Sequence, residues 1–80
     1  MLIRDNLKTF VLEALVVHNG KAHLTQVAKH IWDNHLVEIQ AATSLKYTWQ
    51  YDMRWAATRL RKEGVLKPAE SCDKGVWELV

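Results

Sequence analysis

Apolar residues recur at helical spacing in three separate stretches of the chain. Leu7, Phe10, Val11, Ala14 and Leu15 make the first stripe, set three and four apart as one face of a helix requires. The pattern predicts a helix capped by Asp5 or Asn6 and running to about Val17. Asn19-Gly20 stops it, since both residues tolerate the left-handed conformation. Lys21-Ala22-His23-Leu24 is too short for a helix and reads as a brief strand. Val27, Ala28, Ile31 and Trp32 make the second stripe. It predicts a helix from Gln26 to about Asn34, with Thr25 as its cap. In residues 35–46 the pattern is open: Leu36 and Ile39 either extend that helix or form a short one of their own.

The third stretch begins at Tyr47 and ends at Gly64, with Ser44 or Thr48 as its cap. At about 100° per residue, Trp49, Met53, Ala56, Ala57 and Leu60 share one side. Tyr47, Tyr51, Arg54, Thr58, Arg61 and Lys62 share the other, with Trp55 at the edge. The first side suits a core. The second presents cations and flat amphipathic rings outward.

Beyond Gly64 the period changes. Val65-Leu66-Lys67 is a short extended run, limited by Pro68, which has no backbone donor. Residues 69–75 carry turn-forming Ser, Asp and Gly. Val76-Trp77-Glu78-Leu79-Val80 is strand-like. The order is helix, strand, helix, helix, strand, turn, strand. This is an α+β chain of one domain, residues 1–80. It is expected to be a winged helix-turn-helix: a three-helix core with a C-terminal β-hairpin wing that buries Trp77 or its neighbours.

Composition agrees with a small packed domain. The chain has 80 residues, 49% of them hydrophobic and 25% charged, with four Trp, which argues against disorder. No apolar run approaches the roughly 18 residues that cross a bilayer, and residues 1–5 lack the apolar segment of a secretory signal. Cys72 stands alone, so the expected compartment is a reducing cytoplasm. The net charge of +2 hides an asymmetry. Lys46, Arg54, Arg59, Arg61 and Lys62 against Asp52 give residues 46–62 a charge of +4, leaving −2 on the rest. A basic element on a slightly acidic body suits docking to a polyanion.

Three segments together resemble a known family: Arg54-Trp55-Ala56-Ala57, then Leu60-Arg61-Lys62-Glu63-Gly64-Val65-Leu66, then Lys74-Gly75-Val76-Trp77-Glu78-Leu79. They are similar to the winged-helix domain at the N-terminus of Mrr-type restriction endonucleases, over roughly residues 23–80. The resemblance implies the fold and a role in contacting DNA. No nuclease domain follows in this sequence, so cleavage activity does not carry over.

In a helix-turn-helix the second helix of the motif enters the major groove, and its early exposed positions reach the bases. Those positions here are Tyr47, Thr48, Tyr51, Arg54 and Trp55, with Thr58 a turn later. Arg54 has the planar fork that pairs with guanine. Gln50 can pair with adenine if it faces outward. Thr48, Tyr51 and Thr58 can donate to phosphate or touch a thymine methyl. Arg61 and Lys62, with Arg59, are placed to neutralise phosphate. In the wing, Lys67 and Lys74 can each meet one phosphate, although Glu70, Asp73 and Lys74 sum to −1. Lys21, Thr25, Gln26 and Lys29 are further positioning candidates.

Each residue has a plainer alternative. Arg54 can pair with Asp52 or Glu38, and Tyr47 and Tyr51 can pack over the second helix. Trp55 can be partly buried, and Arg59 simply solvated.

The leading expectation is a regulator or accessory subunit that binds double-stranded DNA, alone or as a homodimer. The alternative is a protein-interaction module anchored by Tyr47, Tyr51 and Trp55. No catalytic residues, cofactor, small-molecule pocket or metal site are expected. His18, His23, His30 and His35 are scattered and lack zinc spacing with Cys72.

Overall fold

A computed structural model describes residues 3–80; Met1 and Leu2, part of the opening segment read above, lie outside the described residues. Its elements are α1 (Asn6–Val17), β1 (Lys21–His23), α2 (Leu24–Ala41), α3 (Trp49–Lys62) and β2 (Val76–Glu78), with a 3₁₀ turn at Ala69–Ser71. Three helices and a two-stranded antiparallel sheet make a small α+β fold, an arrangement compatible with a winged helix.

The helical stripes meet in one core. Leu7, Phe10, Val11, Ala14 and Leu15 are all buried, as are Val27, Ile31 and Ile39 of α2 and Met53, Ala56, Ala57 and Leu60 of α3. Helix α1 packs against both others. Lys8 ties it to the end of α3, pairing with Glu63 at 2.7 Å. Asn19, at φ 63°, takes the left-handed conformation expected where α1 stops.

Helix α2 starts earlier than expected, takes the longer of the two readings left open for residues 35–46, and leaves one stripe residue exposed. It starts at Leu24, so its cap is His23 and not Thr25. His23 Nδ1 accepts the Thr25 N–H at 3.2 Å, and Gln26 Oε1 accepts the His23 N–H at 2.9 Å, a reciprocal capping box. The helix also runs on to Ala41, because Ile39 finds a fully packed place in the core at 1% exposure. Trp32, read as core, is instead half open and stacks on Trp49, ring centroids 5.9 Å apart.

The sheet is built differently from a simple C-terminal hairpin. Strand β2 pairs with β1, Lys21 opposite Glu78, Ala22 opposite Trp77 and His23 opposite Val76. The run after Gly64 contributes one isolated bridge, Leu66 with Leu79. Two backbone bonds flank it, Lys67 N to the Glu78 carbonyl at 2.8 Å and Val80 N to the Val65 carbonyl at 3.1 Å. Pro68 offers no donor to lengthen that ladder, and the chain turns away through Ala69–Ser71. Trp77 is buried beneath, 5% exposed, closing the core as expected.

Among the described residues, no helix is long and apolar enough to cross a membrane.

Candidate nucleic-acid interface

Helix α3 separates its two faces as its periodicity demands. Its inner side seals the core, and its outer side carries a row of open side chains. The helix begins at Trp49, with Thr48 rather than Ser44 in the cap position. Tyr47 and Thr48 therefore sit on the preceding turn.

That turn is held by Thr48. Its hydroxyl lies 2.7 Å from Asp52 Oδ2 and 3.0 Å from the Ser44 carbonyl. Asp52 is the one buried charged residue among those described. It lies in the first turn of α3, where a carboxylate meets the positive end of the helix dipole. Thr48 therefore spends its donor inside the protein, contrary to its expected role toward phosphate.

Tyr47 and Tyr51 are 86% and 73% exposed, so neither packs over α2. Lys46 Nζ lies 5.3 Å from the Tyr47 ring centre, a cation–π arrangement. Arg54 is exposed and has no ion pair among the described residues. Asp52 is engaged with Thr48, and Glu38 lies 2.9 Å from His35.

Tyr51 and Arg54 form a ridge between two depressions. On one side a groove of about 580 Å³ runs between α3 and the start of α2, lined by Leu24, Thr25, Ala28, Gln50 and Met53 with the two ridge residues. On the other a hollow of about 390 Å³ is walled by Trp55 and Thr58. Gln50 is exposed, so its amide faces outward. Trp55 is half-buried, with the Arg4 guanidinium 3.8 Å over its ring. Thr58 is exposed, but its hydroxyl donates to the Arg54 carbonyl at 3.1 Å, leaving its lone pairs and methyl for outside contact.

Arg61 departs furthest from expectation. It is half-buried, and its Nε and Nη2 donate to the carbonyls of Lys67 and Val76, each at 3.1 Å. It fastens α3 to the C-terminal strands, so two of its donors, expected to face phosphate, are spent inside the protein. Lys67 is likewise committed, to Glu78 at 2.9 Å. That hydrogen bond holds the Glu78 carboxyl below its usual range. Lys62 and Lys74 are exposed as expected, as is Arg59. Of the candidates near α2, Lys29 pairs with Asp33 at 2.6 Å, Gln26 serves the capping box, and Thr25 contacts the His23 ring at 2.9 Å.

A second cluster escaped the sequence reading. His30 Nε2 and His35 Nε2 both meet Glu13 Oε1, at 2.8 and 3.0 Å. The histidines are five apart on α2, a spacing that does not by itself bring two rings together. They converge because Glu13 enters between them from α1. Hydrogen bonds from His30 and then His35 lower the Glu13 pKa. Burial pulls the His35 pKa down, but bonds to Glu38 and Glu13 outweigh it and the net shift is upward. The available signal was Glu13 itself, a carboxylate one turn beyond Phe10 on the stripe-bearing helix.

Comparisons of the chain with protein-family models, with curated proteins and with solved structures returned no match.

Proposed function

We propose that this chain is a small winged-helix protein that binds double-stranded DNA through the outer face of α3. The observation that carries the reading is Arg54. It stands exposed and without an ion pair among the described residues, beside Tyr51, on a ridge flanked by two depressions. A guanidinium is always charged and offers a planar fork, the geometry that reads guanine or clamps a phosphate. Gln50 and Tyr51 extend the row toward the start of the helix, the end that approaches base edges in helix-turn-helix proteins. Arg59 and Lys62 supply phosphate contacts at its far end. The +4 charge of residues 46–62 concentrates the attraction on this element.

The resemblance to the winged-helix domain of Mrr-type enzymes points the same way. It supports a regulator or accessory DNA-binding subunit working in the cytoplasm. One such domain covers few base pairs, so high affinity calls for a homodimer or a partner.

Exposed Tyr47 and Tyr51 also favour a second reading, an aromatic anchor for a partner protein. Salt separates the two. Binding of fluorescent random-sequence duplex is expected to weaken steeply between about 50 and 200 mM salt, by about tenfold or more for a few phosphate contacts. An absence of duplex binding at low salt would refute the DNA reading. A protein complex formed through the same tyrosines and insensitive to salt would establish the second.

A further inference from the structure

We propose that Glu13, His30 and His35 form a binding site for a divalent ion of the Zn²⁺ class, joining α1 to α2. The three donor atoms, Glu13 Oε1 and the Nε2 atoms of both histidines, lie within 4.8 Å of one another. The carboxylate oxygen is 2.8 and 3.0 Å from the two nitrogens. A tetrahedral zinc with bonds of about 2.0–2.1 Å sets its donors about 3.3 Å apart. An ion therefore enters by displacing the two ring protons shared with Glu13 and moving the carboxylate oxygen a few tenths of an ångström away from each nitrogen. Two imidazoles and one carboxylate are a donor set that suits zinc and leaves a fourth position for water.

The surroundings prepare the site. His35 Nδ1 lies 2.9 Å from Glu38 Oε1. That contact keeps a proton on Nδ1 and directs the Nε2 lone pair to the ion, the outer-shell arrangement seen at histidine ligands generally. Phe10 stacks on the His35 ring, centroids 3.8 Å apart and planes 11° from parallel, which fixes its orientation. The side chains of His30 and His35 are 12% and 14% exposed, whereas Glu13 is 42% exposed. The nitrogens are thus held in place while the carboxylate faces solvent, where an ion arrives and an adaptable ligand closes over it. Asn34 Nδ2 donates to the His30 carbonyl at 2.8 Å and lies 3.4 Å from His30 Nδ1. Metal binding at His30 Nε2 requires the proton on Nδ1, so the Asn34 side chain must give up its bond to the His30 carbonyl and change rotamer before its oxygen can accept that proton.

This site shares no residue with the outer face of α3, so it stands or falls independently of DNA binding. The test is titration of ZnCl₂ into the untagged, chelator-stripped chain, read by calorimetry and by imidazole ¹H–¹⁵N resonances. One saturable ion per chain is expected, with the ring resonances of His30 and His35 moving together. At a hundredfold excess over the dissociation constant the melting midpoint should rise by about 10 °C or more. Glu38→Gln should weaken binding by about tenfold, and the double variant His30→Gln/His35→Gln should abolish it. His18→Gln should leave it unchanged. Absence of saturable binding up to about 1 mM ZnCl₂ overturns the proposal. So does a titration of the wild-type chain in which only the His18 or His23 rings shift, a readout that does not depend on any variant folding.

Discussion

Arg61 on α3 donates through Nη2 to the carbonyl of Val76 in the last strand, at 3.1 Å. With its second bond to the Lys67 carbonyl, this one guanidinium binds α3 to both segments of the C-terminal layer. We predict that Arg61→Ala lowers stability by about 2 kcal/mol, the scale for charged hydrogen bonds lost to partly buried carbonyls. Lys62→Ala, one residue on and exposed, should change stability by less than about 0.5 kcal/mol. Urea unfolding of both variants checks the contrast, and equal losses would contradict it.

DNA affinity should sort the cations differently. Arg54→Ala is expected to weaken duplex binding by about tenfold, within the range for a bidentate contact. Lys62→Ala should reduce the salt slope by about one, and Lys74→Ala should matter less than Arg54→Ala. Arg61→Ala, once corrected for its folded fraction, should change affinity little. Fluorescence anisotropy at several salt concentrations measures all four.

Glycine substitution distinguishes an open turn from a crowded one. Gly64 and Gly75 both have positive φ, 80° and 77°. A Cβ at Gly64 meets nothing within 4 Å, whereas one at Gly75 falls 2.7 Å from His23 Nε2. Gly64→Ala should cost about 1–2 kcal/mol from backbone strain alone. Gly75→Ala should cost more, because the His23 ring is held by its capping bond and cannot retreat freely. Thermal melts should show the excess shrinking in a His23→Ala background, a non-additivity expected for residues in contact.

The Lys67–Glu78 pair gives a pH dependence whose sign follows from the carboxylate. Glu78 is lowered below its ordinary value of 4.5 by the hydrogen bond from Lys67. A depressed carboxylate contributes stability above its unfolded pKa and loses it as pH falls through the folded one. The melting-point gap between wild type and Glu78→Gln should therefore be open at neutral pH. It should close as pH drops below about 4.5. A gap that widens toward acid would contradict the assignment.

What could be read from the sequence was whatever a single element decides for itself. The stripe of α1, the stop at Asn19 and the division of α3 into core and outer faces depend on local spacing, and the structure agrees with each. The length of α2 was ambiguous because Leu36 and Ile39 fit either continuation or a break. Only the packing of Ile39 settles it. The half-open Trp32 depends on its stack with Trp49, a residue of another helix. At the interface, exposure of Tyr51 and Arg54 followed from helical angle. The commitments of Thr48 and Arg61 did not, since their partners are a buried acid and two distant carbonyls. The Glu13–His30–His35 cluster was hidden for the same reason: its centre lies on a different helix from its rings.

The pairing of β1 with β2 joins residues 21–23 to residues 76–78, across most of the sequence. Bringing them together closes a long loop, an entropic cost that falls on the folding transition state if the ladder forms there. Packing α1 on α3 closes a loop of similar length but buries a wide apolar face in doing so, whereas the three-residue strands bury little. We therefore predict that the helices collapse first and the ladder zips late. Trp77→Leu should then accelerate unfolding while hardly slowing refolding. A chevron plot whose folding limb drops with the substitution would place the sheet in the nucleus instead.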